Sequence, residues 1–404
     1  MIYKLLTTVL ALAMLTAARA DLLVESLDGP VTQKEIDAFK QHMQTVEIRP
    51  DNNHNNMVYG RAGNAAEALG HMYQITQDRQ ILDQLIKVAD TMLSGRNDPE
   101  KGKLIWTGKR DPIWPNRVDA PEPQGGSTEQ GDVLAHIAFA AKSILQTKSL
   151  WNEKLSADET YLDHARKLIR ECDKTEDEFI LPWLIDPKTN LYIWPTSDLW
   201  AKQGDREANS QGHPIPWNQQ SMLNGGFMRL AECHEILEDD APRVAKYDAI
   251  VKASCDDFLA DLTTYQVEGH DVAKWSYAKE GKTLKHVEDT PHGGYDMLIL
   301  RAYRSGRYGL KRDDMMVLAN TVKYVICKPD GKVAAKVDGS GTEREFLGAT
   351  YMPLAEFLPE LYPTLAKPAL TKAKTDPLLT ATILWVKHYR NAGAFPGNQP
   401  QAKP

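Results

Sequence analysis

Long apolar segments are absent from this 404-residue chain after its first 20 residues. A membrane-spanning helix needs about 20 consecutive apolar residues, so we expect no membrane partner. An excess of basic residues is also missing, because 48 Lys+Arg stand against 55 Asp+Glu and give a net charge of −7. A general nucleic-acid binder is usually basic, so this charge argues against a nucleic-acid partner.

Cysteine is scarce, and the four cysteines form no C-x-x-C pair: Cys172, Cys233, Cys255 and Cys327. This spacing argues against a zinc knuckle or a thioredoxin-like site. Each cysteine lies in an apolar helical pattern, so simple burial and disulfide formation after export are both open. The chain also lacks G-x-S-x-G, P-loop, dinucleotide-binding and H-E-x-x-H motifs. We therefore expect no cofactor.

The N-terminus has the pattern of a secretory signal peptide. Lys4 precedes an apolar run at 5–16, and Ala18-Arg19-Ala20 matches an A-x-A cleavage site. The run is too short for a membrane span. We predict cleavage after Ala20 and a periplasmic or secreted, monomeric protein. The leader contains basic but no acidic residues, so its removal makes the net charge more negative than −7.

Helical periodicity dominates the rest of the chain. Apolar residues recur at i, i+3, i+4 and i+7, which is typical of amphipathic helices. The predicted helices lie close to 33–46, 62–77, 82–93, 133–145, 158–172, 218–237, 244–262, 295–305, 313–327, 350–361 and 377–390. The last begins with Asp376-Pro377, an N-cap followed by proline at the first helical position. The predicted fold class is all-α.

The connections between these helices alternate between short and long. The long ones, rich in Trp, Pro, Gly, His and Asn, are 95–129, 179–217, 265–294 and 329–349. Within one of them, 274–277 and 283–286 flank a turn and predict a β-hairpin. No Gly/Ser-rich linker divides the chain, so we predict one domain over 21–404. The alternation favours an (α/α) barrel or toroid of about six or seven helical hairpins, with long loops on one rim.

Two polar clusters precede the predicted helices of the N-terminal half. Asn53 and His54, followed by Arg61, offer amide, imidazole and guanidinium groups that can bind an anion. The alternative is an Asn-rich turn that caps the next helix. Glu129 follows Ser127 and Thr128, which we interpret as a helix cap, although Glu129 facing a cavity is the alternative.

A third cluster combines aromatic and amide side chains at a helix start. Trp217 can stack on a sugar ring, while Asn218 and Gln219 can hydrogen-bond its hydroxyl groups. Trp275, in the predicted hairpin, is a further candidate for substrate binding. Some of the nine tryptophans must belong to the core.

The fourth cluster is the densest, with His286, Glu288, Asp289, His292 and Tyr295 at one loop-to-helix junction. One alternative is a polar loop in which Asp289 caps the helix. Another is a metal site formed by the two histidines and two acidic residues, but their spacing matches no known ligand motif. We therefore predict no metal.

The Asn-Asn-His and Trp-Asn-Gln-Gln loops and the His-x-Glu-Asp-x-x-His-x-x-Tyr segment at 286–295 resemble the (α/α)-toroid polysaccharide lyases. The chain is most similar to the alginate and glucuronan lyases of polysaccharide lyase family 38. The resemblance implies an anionic polysaccharide substrate and β-elimination at a 1,4-linked uronic acid. It implies an Asn/His/Tyr/Arg constellation, with Tyr295 paired with either His286 or His292. Asn218, His54 and Arg61 are candidates to neutralise the substrate carboxylate. A protonated acid, Glu288 or Glu129, is a further candidate for this contact.

Two other functions stay open. A glycoside hydrolase on the same helical ring would use Glu129 or Asp132 with Glu288 or Asp289. A non-catalytic periplasmic carbohydrate-binding protein is the other alternative.

The lyase hypothesis makes two electrostatic predictions. Lys285 and His292 should lower the pKa of Tyr295 and so favour its role as base and acid. The cleft must also be locally basic despite the acidic chain, and the long loops supply basic residues: Lys109, Arg110, Arg117, Arg206 and Lys285.

Overall fold

The computed structural model describes residues 21–49, 60–97, 99–115, 126–279 and 286–396, except for the side chains of residues 60–62. The predicted signal peptide lies outside these residues. The described chain is mostly helical, as predicted. Within it, no helix has the length and apolarity needed to cross a bilayer.

The α-helices are α1 (Gln33–Met43), α2 (Gly60–Thr76), α3 (Arg79–Ser94), α4 (Gln130–Gln146), α5 (Tyr161–Thr175), α6 (Leu181–Leu184), α7 (Asp198–Ala201), α8 (Asp205–Ser210), α9 (Trp217–Leu237), α10 (Ala241–Asp261), α11 (Thr290–Asp296), α12 (Ile299–Ser305), α13 (Arg312–Thr321), α14 (Leu361–Ala373) and α15 (Pro377–Ala392). Short 3₁₀ helices occupy Lys148–Leu150 and Ala349–Glu356. π-helical turns extend α5 and α13, at Glu176–Ile180 and Val322–Ile326.

Local sequence explains several helix starts. Thr32 and Glu35 form a reciprocal capping box at α1, which satisfies backbone donors that the first turn leaves free. Asp376 accepts a hydrogen bond from the backbone N–H of Leu379 at 3.1 Å. The predicted Asp-Pro start of α15 is therefore confirmed.

The packing partners of the helices form a circuit. α2 packs against α4, α4 against α9, and α9 against α11 and α12. α11 contacts the 3₁₀ helix Ala349–Glu356, which packs against α15, and α15 packs against α2. We call α2, α4, α9, α11, α12, α15 and the 3₁₀ helix Ala349–Glu356 the inner helices.

A second set of helices packs on the inner ones. α3 lies against α2 and α4, α5 against α4, and α10 against α9. α13 and α14 each contact the 3₁₀ helix Ala349–Glu356. Short connections join inner to outer helices, as between α2 and α3, whereas long connections lead from α3 to α4 and from α10 to α11. The predicted alternation of connection lengths is thus present.

A buried ion pair joins the two ends of the described chain. The Lys387 ammonium of α15 lies 2.9 and 3.0 Å from the two carboxylate oxygens of Glu35 in α1. Both side chains are almost fully buried. The same carboxylate accepts the backbone N–H groups of Glu25 and Thr32, so its charge is fully hydrogen-bonded.

The β-hairpin lies earlier in the chain than predicted. Strands β1 (Thr263–Val267) and β2 (His270–Lys274) pair antiparallel around Glu268 and Gly269, which both have positive φ. Two positive-φ residues in succession are typical of a tight hairpin turn. The predicted pairing partly exists as an isolated bridge between Ser276 and Val287. Part of the predicted second strand lies outside the described residues.

The predicted helix at 350–361 is wrong in type, because Ala349–Glu356 is a 3₁₀ helix that contains Pro353. α14 follows it and was not predicted. All four cysteines are free thiols, and Cys172, Cys233 and Cys255 are buried. Of the two alternatives, burial without a disulfide is therefore confirmed for these three cysteines.

Candidate active site

A central cavity of about 370 Å³ lies between the inner helices. Ligand sites typically have volumes of about 300–1,000 Å³. Its ionisable lining residues are Glu67, His71, Asp132, His136, Lys142, Arg229, Glu232, Tyr295, Arg301 and Arg304. Charged side chains are rarely buried unless they are paired, so this concentration makes the cavity the candidate active site.

Glu67 of α2 is the centre of the charge network in the cavity. Its carboxylate accepts two hydrogen bonds from Arg229, both at 3.0 Å, and one from Arg301 at 2.6 Å. His71 and His136 lie 3.4 and 3.3 Å away. Burial alone would raise the pKa of Glu67, but Arg229 and Arg301 outweigh it and hold the pKa well below its usual range.

Arg301 is the cation of this network that remains partly open. Only its Nη2 atom donates to a described residue, Glu67, and its side chain is 24% exposed. Burial lowers its pKa to about 10, so it stays charged at neutral pH. Its other N–H donors have no partner among the described residues and are available to an anion that enters the cavity.

Asp132 and His136 stand one turn apart on α4. His136 Nε2 lies 3.3 Å from Asp132 Oδ1, and its Nδ1 faces Glu67. Burial would lower the pKa of His136, but the two carboxylates outweigh it and raise the pKa. The imidazole therefore tends toward its cationic form, although it lies deep in the protein.

Tyr295 of α11 lines the same cavity, as expected for a residue that moves protons. Its pKa is raised by burial and, secondarily, by the charge of Asp132. The expectation that Lys285 and His292 would lower this pKa is wrong, because desolvation and a carboxylate both disfavour the phenolate. Lys285 itself lies outside the described residues.

Asn218 is the second residue of α9 and is 4% exposed. Met222 and Arg229, four and eleven positions later, line the cavity, and these spacings bring Asn218 to the same helix face. Its Oδ1 atom has no hydrogen-bond partner among the described residues. Asn218 itself is not among the residues that line the cavity, and an acceptor oxygen cannot pair with a carboxylate, so the predicted contact would have to come from its Nδ2 donor.

His286 and His292 lie beside Tyr277, and neither lines the cavity. The exposed ring of His286 stacks on Tyr277 at a centroid distance of 5.1 Å. His292 meets the edge of the same ring at 5.3 Å, and its Nδ1 is 2.9 Å from Asp289 Oδ2. His292 stands one helical turn before Tyr295 in α11, whereas His286 precedes this helix.

Gln219 is half-buried between two loops. Its Oε1 atom accepts a hydrogen bond from the Thr128 hydroxyl at 2.7 Å. Tyr277 is a further hydrogen-bond partner of its side chain. The predicted residue is therefore a bridge between the segment before α4 and the segment after β2.

Trp217 and Trp275 are core residues, which argues against the predicted stacking of either on a sugar. They are 1% and 4% exposed, and both pack edge-on against Phe258. The indole N–H of Trp275 donates to Asp296 at 2.7 Å. Burial of these large rings stabilises the contact between α9, α10 and the hairpin.

Glu129 is also buried away from the cavity lining. Its carboxylate accepts hydrogen bonds from the backbone and hydroxyl of Ser127, both at 2.9 Å. Burial raises its pKa. The predicted cap is incorrect in detail, since Ser127 donates to Glu129 and Thr128 to Gln219, and α4 begins without a side-chain cap.

Glu288 is fully buried and does not reach the cavity as a substrate contact would. One carboxylate oxygen accepts the backbone N–H of Asp289 at 2.8 Å, while Oε2 has no partner among the described residues. Burial and the neighbouring Asp296 raise its pKa. Asp289 caps α11 by accepting the N–H of His292 at 2.9 Å, so the cap alternative is confirmed.

Three predicted residues have no described side chain. Asn53 and His54 lie outside the described residues. Arg61 belongs to the first turn of α2, but its side chain is not among those described.

Sequence reasoning missed Glu67, His71, Arg229 and Arg301. They lie inside helices rather than in loops, and no motif marks them. One signal was present, because Glu67/His71 and Asp132/His136 repeat an acid–histidine pair at i, i+4 within largely apolar helices. Charged pairs of this kind within a largely apolar helix indicate that the helix faces a polar cavity inside the protein.

A scan of the chain against protein-family models gives no match. A search among curated proteins gives none either.

Proposed function

We propose that this chain is a polysaccharide lyase that cleaves a 1,4-linked uronic-acid polymer, alginate or glucuronan, by β-elimination. The observation that carries the proposal is that Tyr295 and Arg301 line the same cavity, and that Arg301 is partly exposed and has N–H donors beyond the one that pairs with Glu67. A phenol beside a partly free guanidinium supplies both groups that the reaction needs, a proton carrier and a partner for the substrate carboxylate.

The architecture of the proposal is an (α/α) toroid. The circuit of contacts from α2 through α4, α9, α11 and Ala349–Glu356 to α15 and back to α2 supports it. So does the outer layer formed by α3, α5, α10, α13 and α14. In this arrangement the long connections lead into the inner helices α4 and α11.

The reaction breaks the C4–O4 bond and forms a C4=C5 double bond. A base removes the C5 proton, the electron pair moves to the C4–C5 bond, and the departing O4 takes up a proton. The C5 proton is weakly acidic while the adjacent carboxylate is charged, so fixed donors must stabilise the developing negative charge. Arg301, His136, whose pKa is raised by Asp132 and Glu67, and the Nδ2 donor of Asn218 are the groups that we assign to this task.

Tyr295 is the proposed base and acid. As a phenolate it takes the C5 proton, and the phenol that results donates to O4 on the same face of the sugar. Because burial and Asp132 raise its pKa, the phenolate is a minor form at neutral pH and becomes more populated as pH rises. The resting phenol is already a competent acid for the leaving oxygen.

An acidic chain can still attract an anionic polymer to this cavity. Asn64 and Asp132, close to the N-termini of α2 and α4, line the cavity together with Tyr295. Helix N-termini carry partial positive charge, which favours anions. Four basic residues line the cavity against three acidic ones, so its lining is not acidic as the whole chain is: Lys142, Arg229, Arg301 and Arg304 against Glu67, Asp132 and Glu232.

The two-carboxylate hydrolase receives less support. Of its four candidate acids, Asp132 lines the cavity, whereas Glu129 and Glu288 are buried outside its lining. Asp289 is committed to the cap of α11 and to His292. A pair of carboxyl groups facing one substrate position is therefore not formed by these residues.

The test is incubation with alginate, glucuronan and a neutral glucan while ultraviolet absorbance and reducing ends are followed together. A lyase produces an unsaturated uronate that absorbs, and each cut also gives one reducing end. Reducing ends without absorbance would reject the lyase in favour of a hydrolase, and binding without either product would favour the non-catalytic alternative. Export is tested by N-terminal sequencing of the secreted protein, which should begin at Asp21.

A further inference from the structure

We propose that Glu288, Asp289 and His292 form a binding site for one divalent transition-metal ion at the start of α11. Each of the three offers one ligand atom, and these atoms lie within 4.8 Å of one another. The set consists of one imidazole and two carboxylates, which are common ligands of Zn²⁺ and related ions. The site is separate from the central cavity, and it does not depend on the proposed function.

The closest pair already has nearly the spacing of adjacent metal ligands. Asp289 Oδ2 and His292 Nδ1 are 2.9 Å apart. Two ligands at about 2.1 Å from an ion and separated by 90–110° are about 3.0–3.4 Å apart. Binding through Oδ2 leaves Asp289 Oδ1 free to keep its cap hydrogen bond with the His292 backbone.

Glu288 gives the independent observation that points to a ligand. Its side chain is fully buried, yet Oε2 has no hydrogen-bond partner in the described structure. Leaving a buried carboxylate oxygen without a donor is costly, and a cation would supply the missing partner. The nearby Asp296 Oδ1, also buried, lacks a partner as well, so two carboxyl oxygens without donors belong to this part of α11 and the residue before its cap.

The backbone around these ligands is held on both sides. Glu288 donates its N–H to the Trp275 carbonyl and accepts from Val337, each at 3.0 Å. Asp289 forms a bridge with Lys336. Ligands fixed in this way need little reorganisation, which favours metal affinity.

Access and coordination number also suit an ion. The side chains of His292 and Asp289 are 46% and 38% exposed, so an ion can enter and water can complete its coordination. Because His292 and Tyr295 share α11, a bound ion would also fix the orientation of the helix that presents Tyr295. Its role would then be positional rather than chemical.

The experiment is calorimetric titration of chelator-treated protein with Zn²⁺, together with visible absorption spectra after addition of Co²⁺. We expect one ion per chain, a rise in melting temperature with Zn²⁺ concentration, and Co²⁺ absorption bands. His292→Ala and Glu288→Gln should each weaken Zn²⁺ binding by at least about 10-fold, since even outer-shell partners of metal ligands have effects of that size.

His286→Ala is the matched control, because this histidine is close in sequence but outside the three ligands. It should bind Zn²⁺ as the unchanged protein does. The proposal is overturned if the unchanged protein binds no ion, if His286→Ala weakens binding as much as His292→Ala, or if His292→Ala has no effect. Circular dichroism verifies that each variant folds. If Glu288→Gln does not fold, His292→Ala still tests the site, because this half-exposed side chain can be removed with little effect on the core.

Discussion

Glu67 and Glu288 are both buried carboxyl groups, yet their pKa values shift in opposite directions. Glu67 accepts hydrogen bonds from Arg229 and Arg301, and its pKa lies well below the usual range. Glu288 accepts one backbone N–H, has acidic Asp296 as its neighbour, and its pKa is raised. Burial is common to both, so the neighbouring charges decide the protonation state.

The difference separates two regions with different capabilities. The Glu67 region is a compensated network that holds fixed charges around a cavity, which is what charge stabilisation in a reaction requires. The Glu288 region has carboxyl groups in excess of donors and can accept a proton or a cation. We therefore assign the chemistry to the first region and ion binding to the second.

The largest expected effect is loss of turnover in Tyr295→Phe. If Tyr295 moves the protons beside the Glu67 network, kcat should fall by about 10²–10⁴-fold, while the retained ring preserves substrate binding. Initial rates by ultraviolet absorbance measure this. Glu288→Gln and Asp289→Asn should each lose less. The control Tyr324→Phe should be near normal, because Tyr324 stacks on His270 and does not line the cavity. Near-normal turnover in Tyr295→Phe would remove Tyr295 from the mechanism.

A pair of isosteric substitutions breaks the comparison directly. Glu67→Gln leaves the buried Arg229 and the partly exposed Arg301 without their anion and should reduce the free energy of unfolding by about 3–5 kcal/mol. Glu288→Gln resembles the protonated acid that its raised pKa favours, so its cost should be about 1 kcal/mol or less. Denaturant unfolding of both variants measures the difference. Equal costs would show that the two carboxyl groups have the same protonation state.

Asn218→Ala tests whether the buried amide at the start of α9 takes part in the reaction. If the amide stabilises developing charge, kcat should fall by about 10²–10³-fold, as for loss of one oxyanion donor. Steady-state kinetics on a uronate polymer separate kcat from KM. A rise in KM alone would make Asn218 a binding residue and leave the stabilisation to Arg301 and His136.

The pH profile of the rate tests the influence of Asp132 on Tyr295. The raised pKa means that the phenolate becomes more populated as pH increases, so kcat/KM should rise by about 10-fold per pH unit between about pH 6 and pH 8. In Asp132→Asn the nearby charge is absent and the pKa falls, so the slope should be the same and kcat/KM higher at each pH in this interval. A rate that declines with pH over this interval would make Tyr295 an acid only.

The smallest expected effect is on the pH dependence of stability. It concerns His234, a histidine away from the cavity that lies between two carboxylates. His234 lies 3.0 Å from Asp173 and 2.7 Å from Asp239, and its pKa is raised because these carboxylates outweigh burial. Its stabilisation is therefore present below the unfolded pKa and is lost as pH rises through the folded value. The loss should be below about 1 kcal/mol and absent in His234→Gln, measured by unfolding between about pH 6 and pH 8.

Much of the helical framework could be predicted, because each long helix has an amphipathic pattern and several have strong caps. α14 was missed because Pro363 and Pro368 argue against a helix, although Pro363 lies in the first turn, where its missing N–H has no cost. The β-hairpin was placed too late because the Glu268-Gly269 turn was overlooked. Local sequence gave no means to judge that Ala349–Glu356 would adopt the tighter 3₁₀ form.

The candidate site was only partly predictable. Tyr295 and Asn218 were singled out because each follows a polar loop, although Tyr295 is the sixth of the seven residues of α11 rather than its first. Trp217 and Trp275 looked equally suitable, but aromatic rings serve cores and ligands alike, and only packing against Phe258 distinguishes them. Arg301 was missed because its role depends on Glu67, 234 residues earlier in the chain.

The contact between α2 and α15, together with the Glu35–Lys387 pair, has a consequence for folding. The buried faces of the first helices are completed by the last one, more than 300 residues later in sequence. A nascent chain cannot complete its core until nearly all of it has been synthesised. Any truncation before Pro377 removes Lys387, so Glu35 is either buried without its cation or exposed to solvent together with α1. The last helix thus acts as the closing step of folding, and the partly made chain depends on protection from aggregation until then.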